Sequence, residues 1–231
     1  MTDTVNANRA HFKCLEREIR KRKDFIGAEW IVDDDDDSEE DDGAPQVVPD
    51  GRRMRLLDYA CGTGLISRGL TKDEMHAYQG DLTDPSAPDP APLSDTLFRD
   101  FDVAGVGLGF HHFDDPELAA RRLVERLRPG GVLIIVDFLP HEAADRGLPS
   151  AHTVKHHGFS EQRMRAIFEQ AGAGGGFAME DLGGGVVFGA HGHGDSHGHS
   201  HERGHNHDHD HGGAKAHGGK RRVFLARGTK V

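Results

Sequence analysis

The segment "MRLLDYACGTGLISRGL", residues 54–70, constrains the fold of this chain most strongly. It begins as an apolar run typical of a buried strand, turns at Gly62-Thr63-Gly64 and continues as the start of a helix. Glycines in such a turn let backbone N–H groups approach a ligand closely. The turn alone is weak evidence for a ligand, because a dinucleotide fingerprint would have glycine where this chain has Ser67.

Strands and helices alternate along the rest of the chain. "MHAYQGD" is a candidate short second strand, and "FDVAGVGLGF" and "VLIIVDF" are further strands. Residues 8–26 are predicted to form a helix that turns Phe12, Leu15 and Ile19 to one side. The pattern predicts an α/β, Rossmann-like fold with a mostly parallel sheet.

Two more helices have clear start and stop signals. One begins at Asp115-Pro116-Glu117 and runs to about Arg128, where "RPGG" stops it. The other is capped by Ser160 and ended by Gly172, with Met164, Ile167 and Phe168 facing inward. "GGGVVFGA" and "KRRVFLARG" then predict a C-terminal antiparallel hairpin, because no helix separates them.

Two segments cannot contribute to a core. "DDDDDSEEDD", residues 33–42, holds nine acids, and residues 191–219 are mostly His, Gly, Asp and Ser. We therefore expect an N-terminal helical segment at 1–31, an acidic disordered loop at 32–51 and one α/β domain at 52–231. We expect residues 191–219 to be a disordered insertion in that domain.

The composition limits which binding partners and which cellular compartment we expect for the protein. The acidic run supplies −9 of the formal charge of −11, so the remaining chain is nearly neutral and nothing favours nucleic acid. Two cysteines without metal spacing and no signal peptide indicate a reducing compartment. No apolar run approaches the ~20 residues of a membrane span. We expect a cytoplasmic protein, and the sequence indicates no oligomeric state.

Four motifs occur in a family-specific order: "LLDYACGTG", "QGDL", "FDVAGVGLGFHHF" and "LRPGGVLIIVDF". Together they resemble class I S-adenosylmethionine-dependent methyltransferases, and in particular the small-molecule group of ubiquinone- and menaquinone-biosynthesis enzymes. The resemblance covers roughly residues 54–188 and returns at "RRVFLARGTK". It implies S-adenosylmethionine as cofactor and a small-molecule methyl acceptor.

The resemblance also implies a set of cofactor-binding residues. The turn would hold the methionine end of the cofactor, with the first acid near its amino group; "GD" would lie by the adenine, and the end of a later strand would face the sulfonium. The matching positions are Asp58, Ala60, Gly62, Gly64, Asp81, Leu82, Gly107 and Leu108. Ala60 stands where many members have another glycine.

Methyl transfer requires a base only when the acceptor must lose a proton. His111 and His112 are the candidate catalytic residues, because they follow a strand at the carboxyl end of the sheet, where open α/β sheets bind ligands. One of them could instead pack while the other is solvated. His156 and His157 could line the acceptor side, and Asp137 could contact the acceptor or cap a loop.

The histidine-rich stretch predicts weak binding of zinc, nickel or copper at several sites, since neutral imidazole suits these metals. The candidate ligands are His191, His193, His197, His199, His201, His205, His207, His209 and His211. The alternative is a low-complexity insertion that a surface hairpin tolerates.

The spacing after the first helix is short. The family resemblance places Asp81 after the third strand, so a strand, its terminal acid and a helix are missing between Leu70 and Thr71. Either Asp81 takes over the ribose role of that acid, or the sheet has a gap with an exposed strand edge and apolar surface. We favour the gap, and expect weak cofactor binding, poor turnover, and low stability or self-association. A mis-joined coding sequence would give the same pattern.

Three functions follow from these observations. The glycine turn favours a small-molecule methyltransferase, and the histidines favour a metal-binding protein on a methyltransferase scaffold. The short spacing favours a methyltransferase-like protein that has lost catalysis.

Overall fold

The computed structural model describes residues 12–27, 54–71, 75–142, 151–183, 186–187 and 220–231. The acidic run and the histidine-rich stretch lie outside these residues, so the expectations for them stay predictions. No helix in the described ranges is both long and apolar enough to cross a bilayer.

Twelve regular elements follow one another in the described residues. Helix α1 covers residues 12–20. The remaining elements are α2 (Lys23–Ile26), β1 (Leu56–Asp58), α3 (Leu65–Leu70), β2 (Phe101–Gly107), α4 (Pro116–Arg126), β3 (Leu127–Phe138), α5 (Glu161–Ala171), β4 (Gly175–Asp181), β5 (Val186–Val187), β6 (Lys220–Arg221) and β7 (Val223–Thr229).

Five strands form the main sheet in the order β1-β2-β3-β7-β4, and β5 pairs with β6 separately. Neighbours β1, β2 and β3 are parallel, whereas β7 is antiparallel to both β3 and β4. Four of the five strands therefore point the same way. The predicted α/β fold, with a mostly parallel sheet and a C-terminal antiparallel hairpin, is confirmed.

Each face of the sheet is covered by helices. On β3, Val132, Ile134 and Val136 belong to a core cluster shared with α1, α2 and α3, while Leu133 and Ile135 belong to the cluster under α4 and α5. This alternation is the period of a strand with two buried faces. The helices thus leave the strand ends, and not the sheet faces, as places for a ligand.

The predicted starts of α4 and α5 and the predicted end of α5 are confirmed. Asp115 accepts a hydrogen bond from the backbone N–H of Leu118 at 2.8 Å, and Ser160 accepts one from Arg163 at 3.2 Å. Gly172 ends α5 in the left-handed conformation. The N-terminal helix is broken, however: α1 stops at residue 20, and α2 is a separate short helix.

The predicted second strand, "MHAYQGD", is wrong. Residues 75–81 pair with no strand, and the backbone N–H of Leu82 is bound by the Tyr59 hydroxyl at 3.0 Å instead of by a sheet neighbour. Four prolines follow in the connection, and proline cannot donate to a sheet ladder. In the described part of the chain, β1 therefore has no partner on its outer side, as the predicted gap requires.

Exposed apolar residues lie close to this edge. Met75, Tyr78 and Leu97, all in the connection between α3 and β2, expose more than half of their surface. The Tyr78 ring packs edge-on against Phe98 at 5.0 Å, so the connection is anchored at that point. The connection between α3 and β2 thus exposes three large apolar side chains.

The C-terminal hairpin is longer than predicted. Strand β4 was missed, because its sequence opens with Gly174-Gly175-Gly176, which is typical of a loop. Gly176 has φ +54° at an irregularity in the β4–β7 pairing, a conformation that glycine allows. The segment "KRRVFLARG" divides into β6 and β7, and "RPGG" lies within β3 instead of ending a helix.

Candidate functional site

The glycine turn joins β1 to α3 at the carboxyl end of the sheet. Gly62 has φ +50° and Gly64 has φ +75°, in the left-handed region that favours glycine. A Cβ added at Gly62 would meet only the carbonyl oxygen of Ala60, at 3.9 Å. The space beside Gly62 is therefore open, so a ligand could approach its backbone closely.

Ala60 adopts the left-handed conformation as well, with φ +52°. This conformation costs a residue with a Cβ about 1–2 kcal/mol. Alanine at position 60 thus adopts the backbone conformation that glycine favours, and its backbone is strained as a result.

Replacing Ala60 with glycine should relieve this strain and raise the free energy of unfolding by about 1 kcal/mol, since glycine's greater freedom in the unfolded chain offsets part of the gain. Urea unfolding measures the change. Ala91→Gly, in a short 3₁₀ helix without a positive φ, is the matched control and should lose stability. Equal losses in both variants would contradict the strain assignment.

Asp58, the last residue of β1, is bound by α3 through one oxygen only. Its Oδ2 accepts hydrogen bonds from the Ser67 backbone N–H at 3.0 Å and from the Ser67 hydroxyl at 2.8 Å. Its Oδ1 is buried and has no partner among the described residues. Burial raises the pKa of Asp58 to about 6, although both bonds from Ser67 oppose the rise. The free oxygen is suited to accept a hydrogen bond from a ligand, and a cationic donor would suit it best.

The end of β2 lies against the glycine turn. A Cβ at Gly107 would be 3.2 Å from the Leu65 Cβ of α3, so only glycine fits there without a shift. A Cβ at Gly109 would be 3.6 Å from the Ala60 Cβ, which puts the two loops in contact. Leu108, between these glycines, has φ +56°. The structure therefore brings the predicted cofactor residues of β1 and β2 together.

Asp81 is tied to the same turn by Tyr59. The Tyr59 hydroxyl donates to Asp81 Oδ1 at 3.2 Å, and the backbone N–H and hydroxyl of Thr83 also donate to this oxygen. These hydrogen bonds hold the pKa of Asp81 below its usual range, with the Thr83 hydroxyl making the largest contribution. Leu82 is buried in the core, so the exposed Asp81 stands on an anchored segment.

The two candidate catalytic histidines differ in their surroundings. His111 is buried, and its Nδ1 lies 2.8 Å from Oδ1 of Asp137, which is also buried. His112 is exposed, and its Nδ1 lies 2.9 Å from the carbonyl oxygen of Thr153. Asp137, expected to contact the acceptor or cap a loop, instead binds His111.

More histidines lie beside this pair. The backbone N–H of His156 donates to the His111 carbonyl. Nε2 of the His156 ring lies 3.1 Å from the Phe113 carbonyl oxygen. The rings of His141 and His157 meet edge-on at 5.9 Å between centroids, and burial lowers the pKa of His141. Three further residues of this region, His141, Ser67 and Tyr59, carry no signal in the sequence, because their contacts are with residues distant along the chain.

The predicted metal ligands, His191 to His211, lie outside the described residues. Among the residues that the structure describes, no three or more His, Cys, Asp or Glu side chains are grouped so as to hold a metal ion.

Comparisons with known proteins identify methyltransferases. An uncharacterized methyltransferase of Schizosaccharomyces pombe is 26% identical over 154 residues, which are 51% of this chain and 52% of the relative. The chain thus spans about half the length of this curated relative.

Two solved structures are also similar. The first is a Thermotoga maritima protein titled a SAM-dependent methyltransferase, possible histamine N-methyltransferase. It is 18% identical with a TM-score of 0.42, and the match covers 78% of this chain and 83% of that one. The second is a Haemonchus contortus phosphoethanolamine N-methyltransferase in complex with S-adenosyl-L-methionine. It is 10% identical with a TM-score of 0.34, and the match covers 56% of this chain and 33% of that one.

A mostly parallel sheet with a glycine turn at its carboxyl end defines the class of Rossmann-like α/β domains. Within this class, a family described as "Methyltransferase domain" matches residues 38–173, more than half of the chain. The chain belongs to this methyltransferase family.

Proposed function

We propose that the protein transfers a methyl group from S-adenosylmethionine to a small molecule. Membership in the methyltransferase family supports the reaction class. The observation that carries the choice of methyl donor is the unpaired, buried Oδ1 of Asp58 next to the open turn at Gly62.

The residues present fit this methyl donor. Its amino group is a cationic donor for Oδ1 of Asp58, and the open turn admits a polar chain close to the backbone of Gly62. Asp81, held by Tyr59 beside the turn, would accept hydrogen bonds from the nucleoside. S-adenosylmethionine supplies a methyl group already activated by its positive sulfur, so the protein's main task is to position the reactants.

The acceptor would bind beyond Gly107 and Leu108, at the histidine-lined end of the sheet. His111 and His112 would be its nearest titratable residues, with His141, His156 and His157 beside them. Kinship with the quinone-biosynthesis enzymes remains a prediction within this proposal. Metal binding by the histidine-rich stretch likewise stays a prediction.

Calorimetric titration with S-adenosylmethionine and with S-adenosylhomocysteine tests the proposal directly. Both should bind at a single site, with affinity below that of a methyltransferase with a complete sheet. If neither compound bound, the proposal would be rejected.

Thiol labelling should locate the ligand, because the two cysteines of the chain are both exposed and only Cys61 lies in the glycine turn. We expect S-adenosylhomocysteine at saturation to slow the reaction of Cys61 with a maleimide at least about tenfold, in proportion to the free fraction. Cys14 on α1 is the internal control and should react at an unchanged rate. Equal protection of both thiols, or of neither, would contradict binding at this turn.

A further inference from the structure

His111 and Asp137 form a buried pair that joins the ends of two neighbouring parallel strands. His111 lies in the 3₁₀ turn Phe110–His112 after β2, and Asp137 is the penultimate residue of β3. Their exposed fractions are 4% and 0%. The pair therefore lies at the carboxyl end of the sheet, and His111 is three positions beyond Leu108, which follows β2.

The hydrogen bonds of Asp137 fix the state of the imidazole. The backbone N–H groups of Phe138 and His111 donate to Oδ1 and Oδ2 of Asp137, at 2.7 and 3.0 Å. An ionised carboxylate only accepts, so the contact between His111 Nδ1 and Oδ1 requires the proton on Nδ1. Nε2 of a neutral His111 then presents a lone pair.

The ring of His111 is also fixed in direction. Its carbonyl accepts hydrogen bonds from the backbone N–H groups of Lys155 and His156, at 3.0 and 3.1 Å. The ring packs against Phe138 at 5.0 Å and His112 at 4.0 Å between centroids. Other titratable groups nearby are His112 itself and His141 across Phe138. A base held by a carboxylate in one tautomer is the arrangement that activates nucleophiles in many enzymes.

We propose that His111 is a general base oriented by Asp137, and that the methyl acceptor carries a proton on the atom to be methylated. The acceptor class is then hydroxyl or N–H compounds, such as phenols, and not tertiary amines or thioethers. This inference rests on the proposed function. Asp137 is a positioning residue. The Thr153 carbonyl also requires a proton on Nδ1 of the exposed His112, but His112 has no carboxylate that would stabilise its imidazolium.

The proton and electrons balance in this reaction. The acceptor oxygen or nitrogen forms a bond to the methyl carbon, and its proton moves to Nε2 of His111. The carbon–sulfur bond of the methyl donor breaks, and its electron pair stays on sulfur. The imidazolium that forms is stabilised by the Asp137 carboxylate and later releases its proton to water.

Nitrogen-15 NMR of the histidine-labelled protein tests, without any turnover, whether Asp137 holds His111 in the Nδ1-protonated tautomer. The His111 signals, assigned by their loss in His111→Gln, should show a proton on Nδ1 and none on Nε2 at pH 8. In Asp137→Asn this fixed tautomer should be lost. A proton on Nε2 in the wild-type protein would overturn the inference.

Titration of 4-nitrophenol, whose absorption reports its ionisation, tests whether His111 takes a proton from a bound hydroxyl compound. With S-adenosylhomocysteine bound, the wild-type protein should lower the pH midpoint of the phenol by about one unit, a tenfold shift in its acidity. His76→Gln, at an exposed position in the connection between α3 and β2, should keep the shift, while His111→Gln and Asp137→Asn should lose it. No shift in the wild-type protein, whatever the variants do, would overturn the base assignment.

Calorimetry and the two histidine experiments distinguish failure of the proposed function from failure of the base assignment. If S-adenosylhomocysteine does not bind in calorimetry, the proposed function is wrong. If it binds but the NMR or nitrophenol result is negative, only the base and the acceptor class are wrong.

Discussion

Replacing Gly62 with valine should lower the affinity for S-adenosylhomocysteine by about a hundredfold, the scale on which small displacements in a site act. The protein itself leaves room for the new side chain, since a Cβ at this position meets nothing nearer than 3.9 Å. The branched side chain would instead fill the space through which a ligand approaches the backbone. Calorimetric titration of both proteins measures the change.

The φ of +50° at Gly62 adds a separate effect, because a β-branched residue is strained there. Strain of this kind costs about 1–3 kcal/mol, so Gly62→Val should also unfold at lower urea concentration. Gly183→Val is the matched control. Gly183 has φ +82°, has no atom within 4 Å of an added Cβ, and follows the strand at the opposite edge of the sheet.

Gly183→Val should therefore lose similar stability and keep full affinity. If it lost affinity to the same extent as Gly62→Val, backbone strain and not a blocked site would be the cause. If Gly62→Val bound S-adenosylhomocysteine as well as the wild-type protein, the turn would not be the binding site.

Replacing Asp58 with asparagine should have opposite effects on binding and on stability. The variant should bind S-adenosylhomocysteine at least about tenfold more weakly at pH 8, because a hydrogen bond between charged groups contributes about 1.5–3 kcal/mol. Without ligand it should be more stable than the wild-type protein at this pH, because a buried carboxylate with one unpaired oxygen is removed.

The sign of the pH effect follows from the raised pKa of Asp58, about 6 in the folded protein against an ordinary value of 3.8. Below pH about 3.8 both states hold the proton. Between 3.8 and about 6 the folded state holds it and the unfolded state does not, so stability falls as the pH rises through this window. Above pH about 6, ionised Asp58 lowers the free energy of unfolding by its full amount, at most about 3 kcal/mol.

The ionised form of Asp58 is the one that attracts an amine, so affinity for S-adenosylhomocysteine should rise from pH 5 to pH 7. Asp58→Asn should remove both pH dependences, as seen in urea unfolding and calorimetry at several pH values. Asp84→Asn is a suitable control, because Asp84 also accepts hydrogen bonds from the backbone N–H and hydroxyl of a serine, Ser86, but is only partly buried and has no buried oxygen without a partner among the described residues. An equal gain in stability from Asp84→Asn would contradict the assignment to the buried oxygen.

Local signals in the sequence were sufficient for the starts of α4 and α5, since the bonds of Asp115 and Ser160 join residues three positions apart. They were not sufficient for the sheet. Strand β4 begins with glycines, and the position of β7 between β3 and β4 depends on pairing across the whole chain. "HAYQGDL" has the composition of a strand, but Tyr59 and the core bind Leu82 in a non-strand conformation.

The candidate site likewise contains residues that the local sequence indicates and residues whose contacts depend on distant parts of the chain. The glycine turn is contiguous, so its residues could be identified directly from the sequence. The partner of His111, by contrast, lies 26 positions away, and only the pairing of β2 with β3 brings Asp137 beside it. Ser67 was noted only as a departure from a dinucleotide fingerprint, whereas in the structure it determines which oxygen of Asp58 is free.

The position of β7 has a consequence for synthesis on the ribosome. Val223–Thr229 is translated after both β3 and β4, yet it separates these two strands inside the sheet. While the nascent chain is growing, β3 has an open edge and β4 has no partner in the main sheet. A chaperone that binds unpaired strands would find its target in this interval, before residue 229 leaves the exit tunnel.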